Sequence, residues 1–285
     1  MITQQREQIR SAWDRLAAGY DEFVTPTGNL DVAQDALRRA ELRSGMRFLD
    51  VASGSGALSI PAARMGADVL AVDISPAMIE HLKARARQEG LSNLQARVMD
   101  GQALELEDER FDISASQFGV MLFPDLPRGV DEMVRVTKPE GRVLIVTFGA
   151  PTQVEFLTFF LGAIKSVVPG FSGLAMDPPP LPFQVADPEV LRRRMAEAGL
   201  EKVRVDRGTH GIEVQSGQEL WHWVVNSNPI GSQLVAGLTD EQRAGVRQAL
   251  DGMLRERLEE NGAAVLNSPV NIGVGTKKVS PMAAR

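Results

Sequence analysis

Phe48-Leu49-Asp50-Val51-Ala52-Ser53-Gly54-Ser55-Gly56 carries more information than any other stretch of the chain. A short apolar run ends in an acid, and a loop of small residues then opens into the apolar stretch Ala57–Met65. This is how a strand buried in a parallel sheet hands its C-terminal edge to a nucleotide-like ligand. Glycine lacks Cβ, so Gly54 and Gly56 let the backbone come close to such a ligand and take φ angles that other residues avoid. The loop alone leaves open which ligand it holds.

Outward from this loop the chain alternates between strand and helix. The pattern predicts strands at Phe48–Val51, Val69–Val72, Leu94–Met99, Phe111–Gln117 and Arg142–Phe148. Helices are predicted at Ala57–Met65, from Pro76 to about Gln88, and from about Leu126 to Val136. Ser75 can cap the second of these, with Pro76 at the first helical position, where no N–H is needed. Alternation of this kind implies right-handed crossovers and a doubly wound, parallel α/β sheet.

On the N-terminal side, Gln5–Tyr20 and Leu30–Leu42 read as helices, with Trp13, Leu16, Ala17 and Tyr20 on one stripe of the first. Beyond Gly149 the rhythm changes. An apolar helix at Val154–Val168 leads into the proline-rich loop Pro169–Pro188, a helix at Pro188–Ala198 and a strand at Lys202–Asp206. Helices at Gly217–Asn226 and Thr239–Glu260 and a strand at Val265–Val274 complete the pattern. Thr239 and Gln242 stand at capping-box spacing. The expected organisation is an N-terminal helical cap over 1–44, a ligand-binding core over 45–149, cap helices with the remaining core strands over 150–279, and a tail over 280–285.

Composition narrows the function classes. The chain has 285 residues, 44% of them apolar, enough for a large core. Its formal net charge is −6, which argues against a nucleic-acid partner, since such proteins carry a basic face. Cysteine is absent, which removes disulfides, thiolate metal sites and cysteine nucleophiles, and no metal site is expected. Residues 1–10 are polar, unlike a signal peptide. The most apolar stretch, Phe156–Val168, is broken by Lys165 and too short to span a bilayer. A cytoplasmic location is the expectation.

A dinucleotide fingerprint reads Gly-x-Gly-x-x-Gly, and here Ser59 stands in place of the third glycine. Asp73, 17 residues past Gly56, would accept hydrogen bonds from ribose hydroxyls, which suits NAD and S-adenosylmethionine equally. The segments that follow separate the two. They are Met99-Asp100-Gly101-Gln102-Ala103 after the third strand, Phe111-Asp112-Ile113-Ser114-Ala115-Ser116-Gln117-Phe118 as the fourth, and Val136-Thr137-Lys138-Pro139-Glu140-Gly141-Arg142 before the fifth. In order and spacing, residues 46 to 149 resemble class I S-adenosylmethionine-dependent methyltransferases. Tyr20-Asp21, Asp50-Val51-Ala52-Ser53-Gly54 and Asp73-Ile74-Ser75 are similar to the small-molecule enzymes of the ubiquinone/menaquinone-biosynthesis type. Ala52 departs from the pattern, because many relatives carry glycine there.

The resemblance implies a mostly parallel, seven-stranded Rossmann-like sheet with S-adenosyl-L-methionine as cofactor. It implies that Asp50, Ser53, Gly54 and Gly56 line the methionine half and that Asp73 holds the ribose. Ile74 and Met78 would flank the adenine, Asp100 and Gly101 would read its edge, and Ser116 and Gln117 would close the pocket beneath the sulfonium. Tyr20 would cover the cofactor from the N-terminal helix. The implied reaction is methyl transfer to a small apolar or aromatic acceptor at O, C or N. An NAD(P)-dependent oxidoreductase and a non-catalytic S-adenosylmethionine-binding protein are the alternatives.

Methyl transfer from a sulfonium chiefly requires alignment and exclusion of water, with a general base where the acceptor must lose a proton. His210 and His222 are the candidate bases, with Glu155 and Glu219 behind them. The acceptor pocket is expected from Phe118, Phe156, Phe160, Phe183, Trp221 and Trp223, because most of these follow the fifth strand, where the cap should stand over the strands' carboxyl ends. Asp177-Pro178-Pro179-Pro180 is similar to a motif of amino-group methyltransferases but stands after the wrong strand, so it is set aside.

Overall fold

β1 (Arg47–Val51) is an inner strand of a seven-stranded sheet, and every one of its residues after Arg47 is buried. The computed structural model describes residues 2–26, 29–227, 229–259 and 262–279, so the tail expected at 280–285 lies outside the described residues. The strands are β1, β2 (Asp68–Asp73), β3 (Leu94–Val98), β4 (Phe111–Gln117), β5 (Thr137–Phe148), β6 (Leu200–Val214) and β7 (Ala264–Lys277). Their order is β3-β2-β1-β4-β5-β7-β6. The first five are parallel, and β7 runs antiparallel to both neighbours. The order reverses between β1 and β4, so a cleft opens at their carboxyl ends, as in other open α/β sheets.

Helices cover both faces. On one side α2 (Asn29–Arg39) and α3 (Ser59–Arg64) pack Leu37, Ala62 and Ala63 on Phe48, Val69 and Ile113. On the other, α5 (Leu126–Val136) and α7 (Pro188–Glu197) pack Val130, Met133 and Leu191 on Leu49, Val143 and Ile145. α1 (Ile2–Gly19) lies against α4 (Pro76–Gln88). A third cluster forms where α6 (Glu155–Val167), α8 (Gly217–Ser227) and α10 (Asp240–Arg255) meet the ends of β6 and β7.

Several boundaries differ from the periodicity. α1 ends in a π-helical turn over Tyr20–Val24, which hydrophobic spacing does not signal. The helix predicted from Ala57 starts at Ser59, because Gly54 and Gly56 hold the preceding loop in left-handed backbone. β5 begins at Thr137 and contains the expected turn as a bulge, with Glu140 at φ 63°. β6 runs 15 residues rather than five, and its outer half is largely exposed, so the apolar signal is diluted. α10 stops at Arg255, with the capping box of Thr239 and Gln242 in place. A further helix, α9 (Pro229–Ala236), was not predicted.

Candidate functional site

The carboxyl ends of β1 to β4 border one cleft of about 680 Å3, part of it open to solvent. β2 ends in Asp73, followed by Ile74. β3 delivers Asp100 and Gly101, and β4 delivers Gln117 and Phe118. Gly54 enters from the glycine loop, Met78 from the first turn of α4, and Tyr20 from the π-turn. The structure therefore brings these sequence-predicted residues together around one space.

Asp73 is the best-held acid of the group. Its Oδ2 accepts the N–H of Gly54 and its Oδ1 the N–H of Ser75, both at 2.9 Å, which ties the loop to the start of α4. Burial nevertheless pushes its pKa up to about 6, and the Asp14 carboxylate adds to the rise. Ser75 caps α4 by accepting the N–H of Met78, and its hydroxyl donates to Asp14 of α1 at 2.6 Å.

Asp50 lies in β1, an inner strand, between Ala71 and Ala115, and is 1% exposed. Its Oδ2 accepts the Ser59 hydroxyl, while Oδ1 has no hydrogen-bond partner among the described residues. Burial raises its pKa to about 7; the Ser59 bond opposes the rise and the Asp73 charge adds to it. The hydroxyl of Ser53 is buried and likewise has no hydrogen-bond partner among the described residues. Neither Asp50 nor Ser53 lines the open cleft; they stand behind the loop that does.

The glycines have specific steric reasons. Gly56 has φ 103°, and a Cβ there would lie 2.2 Å from Leu82 Cδ1. A Cβ on Gly101 would meet Phe123 at 2.5 Å and Val51 at 2.7 Å. A Cβ on Gly54 would stand 3.5 Å from Tyr20 Cε1, so the tyrosine ring covers the loop. Burial, then the charges of Asp73 and Asp50, push the Tyr20 phenol up to about 12, which keeps it neutral. Asp100 accepts the N–H of Gln102 at 2.9 Å and lies 3.3 Å from Arg6 of α1.

Other expected residues stand elsewhere. Ser116 is buried and accepts the N–H of Val120 at 2.9 Å, shaping the turn after β4 rather than lining the cleft. Phe156, Phe160, Trp221 and Trp223 pack inside the cluster beneath α6, α8 and α10, with Phe183 at its margin, and none borders the cleft. His222 stacks on Phe23 with ring centroids 5.0 Å apart and sits in hydrogen-bond reach of Gln218. Glu155 pairs with Arg257, and Glu219 accepts the N–H of Gln215. His210 is 1% exposed on β6, and its ring centroid lies 5.5 Å from that of Phe118, directly behind the cleft.

The cleft also contains residues that the sequence did not single out. Trp13 and Ile9 of α1 line it, as do Gly119, Leu122, Phe123 and Pro124 after β4. Helical spacing showed that Trp13 belongs to an apolar stripe but not what that stripe covers. Ala52 and Phe118 border the space with φ angles of 56° and 58°, rare for residues with a side chain. The Ala52 angle is one that glycine adopts without steric cost.

Residues 49–145 match the family described as Methyltransferase domain. An uncharacterized protein of Mycobacterium tuberculosis H37Rv is 38% identical over 152 residues, 53% of this chain and 52% of that protein. The chain thus spans about half the length of the first curated relatives it matches. The demethylmenaquinone methyltransferase of Streptomyces avermitilis is 28% identical over 225 residues, 74% of this chain and 94% of that protein. Among solved structures, the YcgJ protein of Bacillus subtilis has the same fold, with a TM-score of 0.56 at 18% identity over 88% of this chain and 99% of that one.

Proposed function

We propose that the chain carries a class I, S-adenosylmethionine-dependent methyltransferase domain of the ubiquinone/menaquinone-biosynthesis-like kind and that the whole protein methylates a small apolar or aromatic acceptor. The observation that carries this is the pair of acids at adjacent strand ends. Asp73 borders the cleft and holds Gly54, while Asp50 behind the loop keeps one buried oxygen without a partner.

The residues present fit the cofactor. The free Oδ1 of Asp50 suits an α-ammonium, and the partnerless Ser53 hydroxyl can donate to an α-carboxylate. Asp73 would accept from the ribose hydroxyls, and Ile74 and Met78 would flank the adenine. Asp100 and the N–H of Gly101 would meet its edge. Tyr20, neutral and packed over Gly54, would exclude water from the methyl, and Gln117 would close the cleft from β4. Ser116 would act indirectly, by holding the turn that carries Gly119.

When bound, S-adenosylmethionine supplies a methyl group already activated on a sulfonium. The chain's own contribution is alignment of the acceptor atom with that carbon. Where the acceptor must lose a proton, His210 would receive it, because its ring centroid stands 5.5 Å from that of Phe118, which lines the cleft. In this assignment residues 45–149 hold the donor, and residues 1–44 and 150–279 cover it and shape the acceptor side. The demethylmenaquinone methyltransferase relative supports an apolar ring acceptor of small size.

Two measurements test the proposal. Calorimetry should show binding of S-adenosylhomocysteine and none of NADH, and the homocysteine ligand should raise the melting temperature as any native-state ligand does. Binding of NADH alone would overturn it. Radiolabelled methyl should then pass from S-adenosylmethionine to at least one member of a panel of phenols, quinols, amines and carbon acids, and transfer to none of them would leave a binding protein only.

A further inference from the structure

We propose that the chain forms a twofold-symmetric dimer in which the edge strand β6 pairs antiparallel with β6 of a second copy. Val205 stands on the axis, and Arg204 of each copy faces Asp206 of the other.

β6 is the terminal strand of the sheet and pairs with β7 alone, so one side of its backbone has no strand beside it. An open edge of this kind is a template for another strand, and proteins commonly blunt it with a short strand, a proline or a bulge. β6 runs 15 residues and contains no proline. Its register shift against β7 lies between Glu201 and Arg204, with Lys202 at φ 51°, and from Arg204 onward the pairing is regular. Every residue from Arg204 to Thr209 is exposed or half-buried.

That stretch complements itself. Residues opposite one another in an antiparallel pair point to the same face of the sheet, so the twofold axis passes through a residue. With Val205 on the axis, Arg204 meets Asp206 twice, once on each side, and Val205 meets its own copy. Opposite charges in such cross-strand pairs stabilise, and like charges directly opposite destabilise. Moving the axis to Arg204 or to Asp206 sets that charge against itself, so the charges select one register.

The faces agree with this arrangement. Arg39 of α2 pairs with Asp206 at 2.9 Å, which places Asp206, and Arg204 two residues before it, on the α2 side of the sheet. The Asp206 side chain remains 52% exposed, leaving room for a second cation. Arg204 has no hydrogen bond or ion pair among the described residues, so its guanidinium is open to a carboxylate from another chain. Val203 and Val205 turn the other way and pack on the cluster beneath α5 and α7. A patch that carries its own complement is what a symmetric interface requires, and it fits a second copy rather than a foreign strand. β5 and β6 both run antiparallel to β7, so β6 is parallel to the first five strands. The partner's sheet is therefore inverted, and the two clefts open toward opposite ends of one continuous sheet. Arg204, Val205 and Asp206 do not border the cleft, so each copy keeps its site whole.

The test is sedimentation equilibrium of the full chain at about 100 μM, a level suited to an interface at the small end of the usual range. The wild-type protein should sediment at twice the mass of one chain. R204D and D206R each set like charges opposite one another and should sediment as monomers. An equimolar mixture of the two restores both opposite-charge pairs and should assemble where neither variant does alone. R204D breaks no ion pair within the chain, so it decides the matter if D206R folds poorly for want of its pair with Arg39. A monomeric wild type, a dimer undisturbed by R204D, or folded single variants that stay monomeric when mixed overturns the inference. None of these readouts involves a methyl donor, so they stand apart from the reaction proposed above.

Discussion

Ser59 donates its hydroxyl hydrogen to Asp50 Oδ2 across the turn of the glycine loop, joining the last acid of β1 to the first residue of α3. The residue that breaks the dinucleotide fingerprint is therefore the one that steadies the buried acid. Replacing it by alanine removes that side-chain bond from a buried acid whose Oδ1 already has no partner among the described residues. S59A should lose roughly 1–2 kcal/mol of stability, the usual cost of stripping a partner from a buried group. Its affinity for S-adenosylhomocysteine at neutral pH should fall several-fold, because less of Asp50 is ionised. Urea unfolding and calorimetry check the two parts.

The acids give the ligand-free protein a distinct pH profile. Burial raises Asp50 to about 7 and Asp73 to about 6, both above the ordinary 3.8. Between about pH 4 and pH 7 the folded chain therefore holds protons that the unfolded chain releases. The stability contributed by these groups is full below that window and is lost as pH rises through it. The melting temperature should rise when pH is lowered from about 8 to about 5.5, and D50N should flatten the slope. Ligand binding should show the opposite trend, weakening at lower pH with release of protons, detectable by calorimetry in buffers of different ionisation enthalpy. Equal melting temperatures across that range would contradict the assignment.

Gly56 tests the packing of the loop. Its φ of 103° and the 2.2 Å approach that a Cβ would make to Leu82 both oppose a side chain. G56A should cost at least about 2 kcal/mol, combining backbone strain with a clash in the core. The loss should appear in the urea midpoint and be matched by weaker binding of S-adenosylhomocysteine.

Thr239 offers a contrast far from the cleft. Its hydroxyl accepts the N–H of Gln242 while the Gln242 side chain accepts the N–H of Thr239, completing a capping box at the start of α10. T239A should lower stability by about 1 kcal/mol. Binding of S-adenosylhomocysteine should stay within twofold of wild type, since α10 does not border the cleft.

How much was legible followed the range of the signals. Gly54, Asp73, Asp100 and Gly101 border the cleft as the sequence led one to expect, because each sits at or just past a strand end, where local alternation of strand and helix already fixes position. Trp13, Phe123 and Gly119 were not found, since each reaches the cleft only through the packing of a helix or turn on distant parts of the chain. The aromatic residues after β5 show the reverse error of range. Composition suggested an acceptor pocket, but Phe160 and Trp221 are used to fill the core under the cap helices. Aromatic character in a sequence does not distinguish a wall from a filling.

The sequence by itself determined the α/β alternation, the glycine loop with its two acids and the capping of α4 and α10, because these depend on side-chain period, backbone freedom and contacts only a few residues apart. Only the tertiary structure decided that the serine in place of the third glycine bonds Asp50, that Tyr20 covers Gly54, and that His210 on β6 faces Ser268 behind Phe118. Those relationships join residues far apart in the chain or turned toward one another by the fold. They exist once the sheet has closed its register and the helices have buried their apolar faces against it.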